Sequence, residues 1–442
     1  MIDVVKSIFA SKTLRKKIFF TLIILAVYRF FVVIPVPFAD IFALMGDRQW
    51  VDAQWLDFFA MLLGGTLEQF SIIALWLIPF INASIIMQLL TVAIPHLEEL
   101  QEQWEVGQMK TQQYTRRLTV PLAFAQSIGM VFFINMILWG NIIDTWDKWI
   151  LFGSAFVLVV WTVLLMWIWE LITEKGISNG VSLIIFSSII AGMSGKVFSF
   201  INTWEWSADL TSILIFMILI VLVLVVLSIM LVKTKKEVPI IYARQGKIEE
   251  TAILPIPLNP VGMIPIIFSM AFVSFPYVIS QMLYQVKVTP ATTALKEFSD
   301  TYLNMYTQNP SWTVVLLYFI LIVLFTFFYT WVVFKPEKMA ENIQKRGGFI
   351  QGIRPGKETA MYLNGLLKHL CFWWGTWLWI IWIYTYVLNW IPFIQAQITN
   401  GWLDAIPVII TGSGIIIVVW VVQELINKVN AELLMEKYDK VS

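Results

Sequence analysis

The stretch "LIPFINASIIMQLLTVAIP", Leu77 to Pro95, is apolar enough and long enough to cross the roughly 30 Å hydrocarbon core of a bilayer as a helix. It is not a plain anchor. Pro79, Asn82, Ser84, Gln88 and Thr91 interrupt the aliphatic side chains, and amide and hydroxyl groups at membrane depth call for a partner helix or a water-filled cavity. The stretch therefore has two readings, as polar glue between helices or as the wall of a polar path. Gln126, in another apolar run, and Asn259, just before one, are candidate companions for either.

The same reading extends to the whole chain. Of 442 residues, 59% are hydrophobic and 13% charged, a composition outside the range of water-soluble globular domains. Apolar runs of spanning length fall at approximately 18–37, 70–94, 118–139, 150–172, 181–201, 211–232, 261–284, 313–334, 370–391 and 405–425, predicting an all-α polytopic membrane protein with ten spans. The first run has no small-residue cleavage site behind it, so it is expected to stay as a helix rather than be removed as a signal peptide. Several of the 22 tryptophans, such as Trp139, Trp146, Trp149, Trp390 and Trp402, sit near predicted interfaces, whereas "FWWGTWLWIIW" puts tryptophan deep in the ninth run.

Charge sets the expected orientation. The net charge is +1, but 24 of the 30 lysines and arginines fall in the N-terminal segment, the C-terminal tail and the connections after even-numbered runs. Positive charge concentrates on the cytoplasmic side, which predicts both termini inside. Two polar cytosolic connections are long, 233–260 and 335–368, and the second contains "RGGFIQGIRPGKET", Arg346 to Thr359. On the other side, "DAQWLDFFAMLLGGTL" is apolar but too short to cross, and suggests a re-entrant or interfacial half-helix, about 55–67, with a hinge at Gly64 and Gly65.

Several chemistries find no support. The lone Cys371 lies in an apolar run, His96 and His369 are far apart, and neither a metal site nor a catalytic constellation is expected. No cofactor is expected, and the chain does not read as an enzyme. Ion- or proton-driven transporters carry charged groups at membrane depth; here the runs hold almost none, with Arg29 and Glu170 near their ends.

Five segments in order, "SIIALWLIPFINASIIMQLL", "QMKTQQYTRRLT", "ITEKGISNGVSLIIF", "NPVGMIPIIF" and "AENIQKRGGFIQGIRPGKET", resemble the SecY family of channel-forming subunits of the Sec protein translocase, across nearly the whole chain. The resemblance implies two five-helix halves, 1–205 and 206–442, related by a pseudo-twofold around a central pore in the bacterial cytoplasmic (inner) membrane. It implies a pore ring of Leu77, Ile81, Val181, Ile185, Ile267 and Ile417, and a plug formed by the 55–67 half-helix. Aliphatic side chains seal a narrow neck by dewetting while offering a passing polypeptide no fixed hydrogen bonds. Asn82, Gln126 and Asn259 match the polar cluster of a lateral gate through which hydrophobic segments reach lipid. Arg354 in "GIRPG", Arg244 and Arg116 match the docking side for cytosolic partners.

The implied function is a protein-conducting channel that translocates unfolded preproteins and releases hydrophobic segments laterally. Implied partners are SecE-like and SecG-like membrane subunits, the SecA ATPase, the ribosome, signal sequences of preproteins and membrane lipids. The chain departs from the family pattern at Trp76, where glycine is usual, at Thr411 to Gly414, and at Pro257, where lysine is usual. Two other readings stay open at this level: a solute or lipid transporter, and an accessory SecY paralogue with few substrates.

Overall fold

The computed structural model describes residues 11–39, 70–102, 104–137, 143, 147–203, 208–244, 247–259, 261–286, 288–303, 311–389 and 412–439. The plug half-helix with Gly64 and Gly65, and the 205/206 boundary between the expected halves, lie outside them.

The elements in chain order are α1 (Lys12–Val32), α2 (Ile78–Ala93), α3 (Pro95–Glu102), α4 (Trp104–Ile137), α5 (Lys148–Lys175), α6 (Gly180–Thr203), α7 (Ala208–Lys233), β1 (Lys235–Arg244) and β2 (Lys247–Pro257). They continue with α8 (Ile264–Val286), α9 (Pro290–Tyr302), α10 (Trp312–Phe334), α11 (Pro336–Lys345), β3 (Gly348–Ile350), α12 (Lys357–Asn389) and α13 (Gly412–Asp439). Each of the ten apolar runs overlaps one of these helices. Among the described residues, stretches within Lys148–Lys175, Trp312–Lys345 and Gly414–Glu436 are long and apolar enough to cross a bilayer by length and composition. Shorter apolar stretches lie at Ile78–Ala93, Gly180–Ser194, Ile218–Lys233 and Ile264–Val273.

Side chains near the helix starts supply what the backbone lacks there. The Ser11 hydroxyl accepts from Leu14 N at the start of α1, Asp147 accepts from Trp149 N at the start of α5, and Thr289 and Thr292 form a reciprocal capping box on α9. Within the helices, hydroxyls bond back to the preceding turn: Thr91 to Met87 O, Thr162 to Leu158 O and Thr326 to Ile322 O, at 2.7 to 2.8 Å. Gln88 likewise donates to Ser84 Oγ at 3.2 Å. Much of the polar character in the α2 run is thus satisfied inside its own helix, which leaves Asn82 as the residue that calls for an explanation.

The second run does not begin as a helix. Phe70 to Leu77 forms a succession of turns in which every residue is buried. Its backbone pairs with the segment after α1: Val36 N donates to Phe70 O and Ile72 N to Ile34 O, each at 2.9 Å, around an antiparallel bridge between Pro35 and Ser71. Non-helical backbone is tolerable at membrane depth only where the protein itself satisfies it. The helix starts at Ile78, with Pro79 in its first turn, where a missing N–H costs nothing.

The two long connections, expected as polar loops, build one small platform. β1 and β2 form an antiparallel hairpin running from the Lys235–Pro257 pair to the Arg244–Lys247 pair. β3, from the other connection, pairs with the free edge of β1 through Ile240–Ile350, giving the order β2-β1-β3. Alternation puts Val238 and Ile240 inward, against Ile256, Ile343, Ile350, Leu363 and Leu367, in a core separate from the large one among the apolar helices. Polar composition concealed this sheet, because only one face of a short antiparallel sheet need be apolar.

Gly348 has no room for a side chain: an added Cβ would lie 2.8 Å from Tyr242 Cε1 and 3.0 Å from Ile240 Cγ2. Gly348→Val is expected to weaken the platform by about 1–3 kcal/mol, the range for overpacking. Limited proteolysis should then cut the 233–260 connection faster while membrane insertion is unchanged; equal cleavage rates would show that β3 does not hold the hairpin.

Candidate functional site

Leu77, Ile185 and Ile417 are buried members of the large apolar cluster, and Ile81, Val181 and Ile267 pack against it half-buried. All six expected ring residues therefore converge on one core, contributed by α2, α6, α8 and α13 and the turn before α2. α6 packs against α13, so Ile185 and Ile417 come from neighbouring helices. A large cluster of this kind has many other members, so this convergence does not single the six out as a ring.

A sharper feature is the matched start of two helices. Trp76-Leu77-Ile78-Pro79-Phe80-Ile81 leads into α2, and Gly262-Met263-Ile264-Pro265-Ile266-Ile267 leads into α8. Each helix begins at an Ile-Pro pair, and each is preceded two residues earlier by a left-handed residue, φ 48° at Trp76 and 69° at Gly262. Ile81 and Ile267 occupy the same place in this pattern. Interrupted apolar segments at corresponding places in the two parts of a chain mark the path in proteins built from inverted repeats. The shared Ile-Pro-x-Ile letters were available in the sequence; the backbone angle gives them meaning.

The expected gate residues sit on elements that pack together. Asn82 is half-buried on α2, Gln126 lies on α4, and Asn259 is buried just before α8. α4 packs against both α2 and α8. Asn259 Oδ1 accepts from Gly262 N at 2.5 Å, while its Nδ2 is buried without a hydrogen-bond partner. Gln126 Oε1 is likewise buried and unpartnered. One unmet donor and one unmet acceptor thus lie on neighbouring elements, each costing about 1–3 kcal/mol while unpaired.

The residues from 71 to 426 match the sequence pattern of the SecY family. The chain belongs to the SecY family. It is 33% identical to the protein translocase subunit SecY of Corynebacterium glutamicum, over 98% of this chain and 98% of that protein. It is also 33% identical to the same subunit of Staphylococcus aureus, over 99% of each. Its fold is similar to a solved protein-conducting channel, with TM-score 0.61, 18% identity, and coverage of 95% of this chain and 92% of that one. Sec61 in the canine ribosome–channel complex from the endoplasmic reticulum gives TM-score 0.59 at 15% identity, with the same coverage. A SecY-family chain is a channel subunit of a translocase and not an enzyme, and these relatives do not favour a solute or lipid transporter.

In this SecY-family chain, the tryptophans of the ninth run have work that sequence reading missed. Trp374, 1% exposed, donates Nε1–H to Gly262 O at 3.1 Å. Trp420 of α13 lies against Gly262, where an added Cβ would meet its ring at 2.9 Å. Trp382 packs against Tyr318 with ring centroids 4.2 Å apart and planes tilted by 39°, and Trp379 donates to Val315 O, joining α12 to α10. The left-handed turn before α8 is therefore held between two indoles. Trp76 takes the equivalent left-handed position before α2, where the family usually has glycine, and is itself buried.

Of the charged residues, Arg29 is not simply reaching for water. Its guanidinium bonds to the Ser187 carbonyl, and the neighbouring Tyr28 hydroxyl bonds to Ser188 Oγ at 2.8 Å, which fastens α1 to α6 close to Ile185. Arg116 pairs with Glu170 of α5 at 2.6 Å. Arg354 is exposed, and its turn is pinned from behind: Thr359 Oγ1 donates to Arg354 O at 2.9 Å, and Gly352 and Gly356 flank it at φ 79° and 96°. Arg244 ends β1, opposite Lys247.

Gly262→Ala forces a Cβ into both a left-handed backbone and Trp420, a strain of about 1–3 kcal/mol. Trp374→Phe removes one hydrogen bond, about 0.6–2 kcal/mol in a membrane protein. Both variants should lose thermal stability in detergent, Gly262→Ala by more; an unchanged melting temperature in Gly262→Ala would show that the turn is not under this constraint.

Proposed function

We propose that the chain is the channel of a bacterial cytoplasmic-membrane translocase, with ten spans, both termini inside, and two five-helix halves meeting at 205/206. The matched starts of α2 and α8 carry this reading: two helices at corresponding places, each with an aliphatic residue at the same offset, face one apolar core. Leu77, Ile81, Val181, Ile185, Ile267 and Ile417 form the seal. The 55–67 half-helix, hinged at Gly64 and Gly65, plugs the outer funnel.

Asn82, Gln126 and Asn259 form the lateral gate between α2 and α4 on one side and α8 and α10 on the other. The buried, unpaired Nδ2 of Asn259 and Oε1 of Gln126 support this assignment, since such atoms gain by pairing in a closed state, and a membrane hydrogen bond of about 0.6–2 kcal/mol is weak enough for an arriving signal sequence to replace. Arg354, Arg244 and Arg116 form the face on which SecA or the ribosome docks. Arg354 suits that role because an exposed guanidinium on a braced turn presents its planar fork in one direction, to carboxylate or phosphate. SecE-like and SecG-like subunits complete the assembly, and ATP hydrolysis by SecA or elongation by a ribosome supplies the work.

Depletion of the protein should accumulate uncleaved preproteins, and their continued processing would overturn the channel reading. Replacing Ile81 and Ile267 together by serine should raise resting ion conductance of reconstituted vesicles, because hydroxyls wet the neck. Arg354→Glu should abolish SecA-driven export with assembly intact; normal export would remove Arg354 from the docking face.

A further inference from the structure

We propose that Glu98 and Lys335 form an electrostatic clasp across the cytosolic mouth of the lateral gate, and that it transmits partner docking on the platform to the gate. The inference rests on the gate reading above. Lys335 Nζ donates to Glu98 Oε1 at 3.3 Å, with the two side chains 29% and 47% exposed. Glu98 lies on α3, the short helix joining α2 to α4. Lys335 is the residue between α10 and α11. Connectivity alone therefore puts one partner on each side of the gate, at its cytosolic end.

Lys335 is also a mechanical joint. It closes α10 through a bond from its own N–H to Trp331 O and opens α11 by accepting from Met339 N, at 3.2 and 3.1 Å. Its backbone is left-handed, φ 37° and ψ 71°, and Pro336 fixes the direction in which the chain leaves. α11 is seated in the platform: Pro336, Ala340 and Ile343 are buried, and Ile343 packs in the same core as Ile350 of β3. The Arg354 turn follows β3 directly, with Ile353 N bonded to Ile350 O at 3.0 Å. A load applied at that turn moves β3 and α11 as a packed unit, and the first residue it reaches on the membrane side is the clasp lysine.

A second ion pair, Lys17 with Glu432, joins α1 to α13 and involves none of the gate helices. It supplies the control. Spin labels at His96 and Glu337, on the two sides of the mouth, report its width in reconstituted lipid vesicles with neither preprotein nor SecA present. Glu98→Gln should raise the long-distance population about two- to fivefold, the factor a partly exposed ion pair supports. The charge swap of Glu98→Lys with Lys335→Glu should restore the narrow distribution, and added salt should widen the wild type. An unchanged distribution in Glu98→Gln, a swap as wide as the single variant, or equal widening by Lys17→Gln would each overturn the clasp. Because this readout needs no transport, its failure is distinct from failure of the channel reading, which would show as a wild type that exports no preprotein.

Discussion

Backbone amides that leave helical pairing inside a membrane have no water to turn to, and this constraint organises the molecule. The chain leaves regular pairing in the turns before α2 and again in the turn before α8. At the first break the ladder is supplied by Ile34 and Val36 behind α1. At the second it is supplied by the Asn259 side chain and the Trp374 indole. Each turn lets a helix begin with an aliphatic side chain near its first turn, Ile81 in α2 and Ile267 in α8, packed against one apolar core.

The two breaks are braced differently. Before α8, glycine takes the left-handed position and neighbouring tryptophans fill the space it leaves. Before α2, a tryptophan takes that position and fills the space itself. Large aromatic surface appears in both, once supplied by the neighbours and once by the residue. The tryptophan-rich ninth run is thus part of the frame, and Gly375 within it allows α12 to approach Val323 of α10 closely.

Much of this was legible in the letters. The apolar runs gave the helical, polytopic character, because length and hydropathy are strong signals when lipid is the solvent, and the order of five motifs gave the family. Two things were hidden. The run at 70–94 was read as one span, but Pro79 and the bridge to Pro35 delay its helix to Ile78. The sheet was missed because β3 is three residues long and pairs with a strand from a different connection, which no local pattern reveals. The expected ring residues were named only through family resemblance, since each alone is an ordinary aliphatic side chain. The tryptophan bonds to Gly262 and Val315 depend on tertiary contacts between distant runs.

The platform also imposes an order of assembly. Its hairpin ends at Pro257, but the strand that completes it begins at Gly348, after α8, α9 and α10. A nascent chain that has made the hairpin must therefore synthesise and settle two more apolar runs before the third strand exists to close the sheet. The delay is written into the non-local pairing of β1 with β3. The completed sheet is consequently a late marker: a chain that displays it already carries α2, α4, α8 and α10.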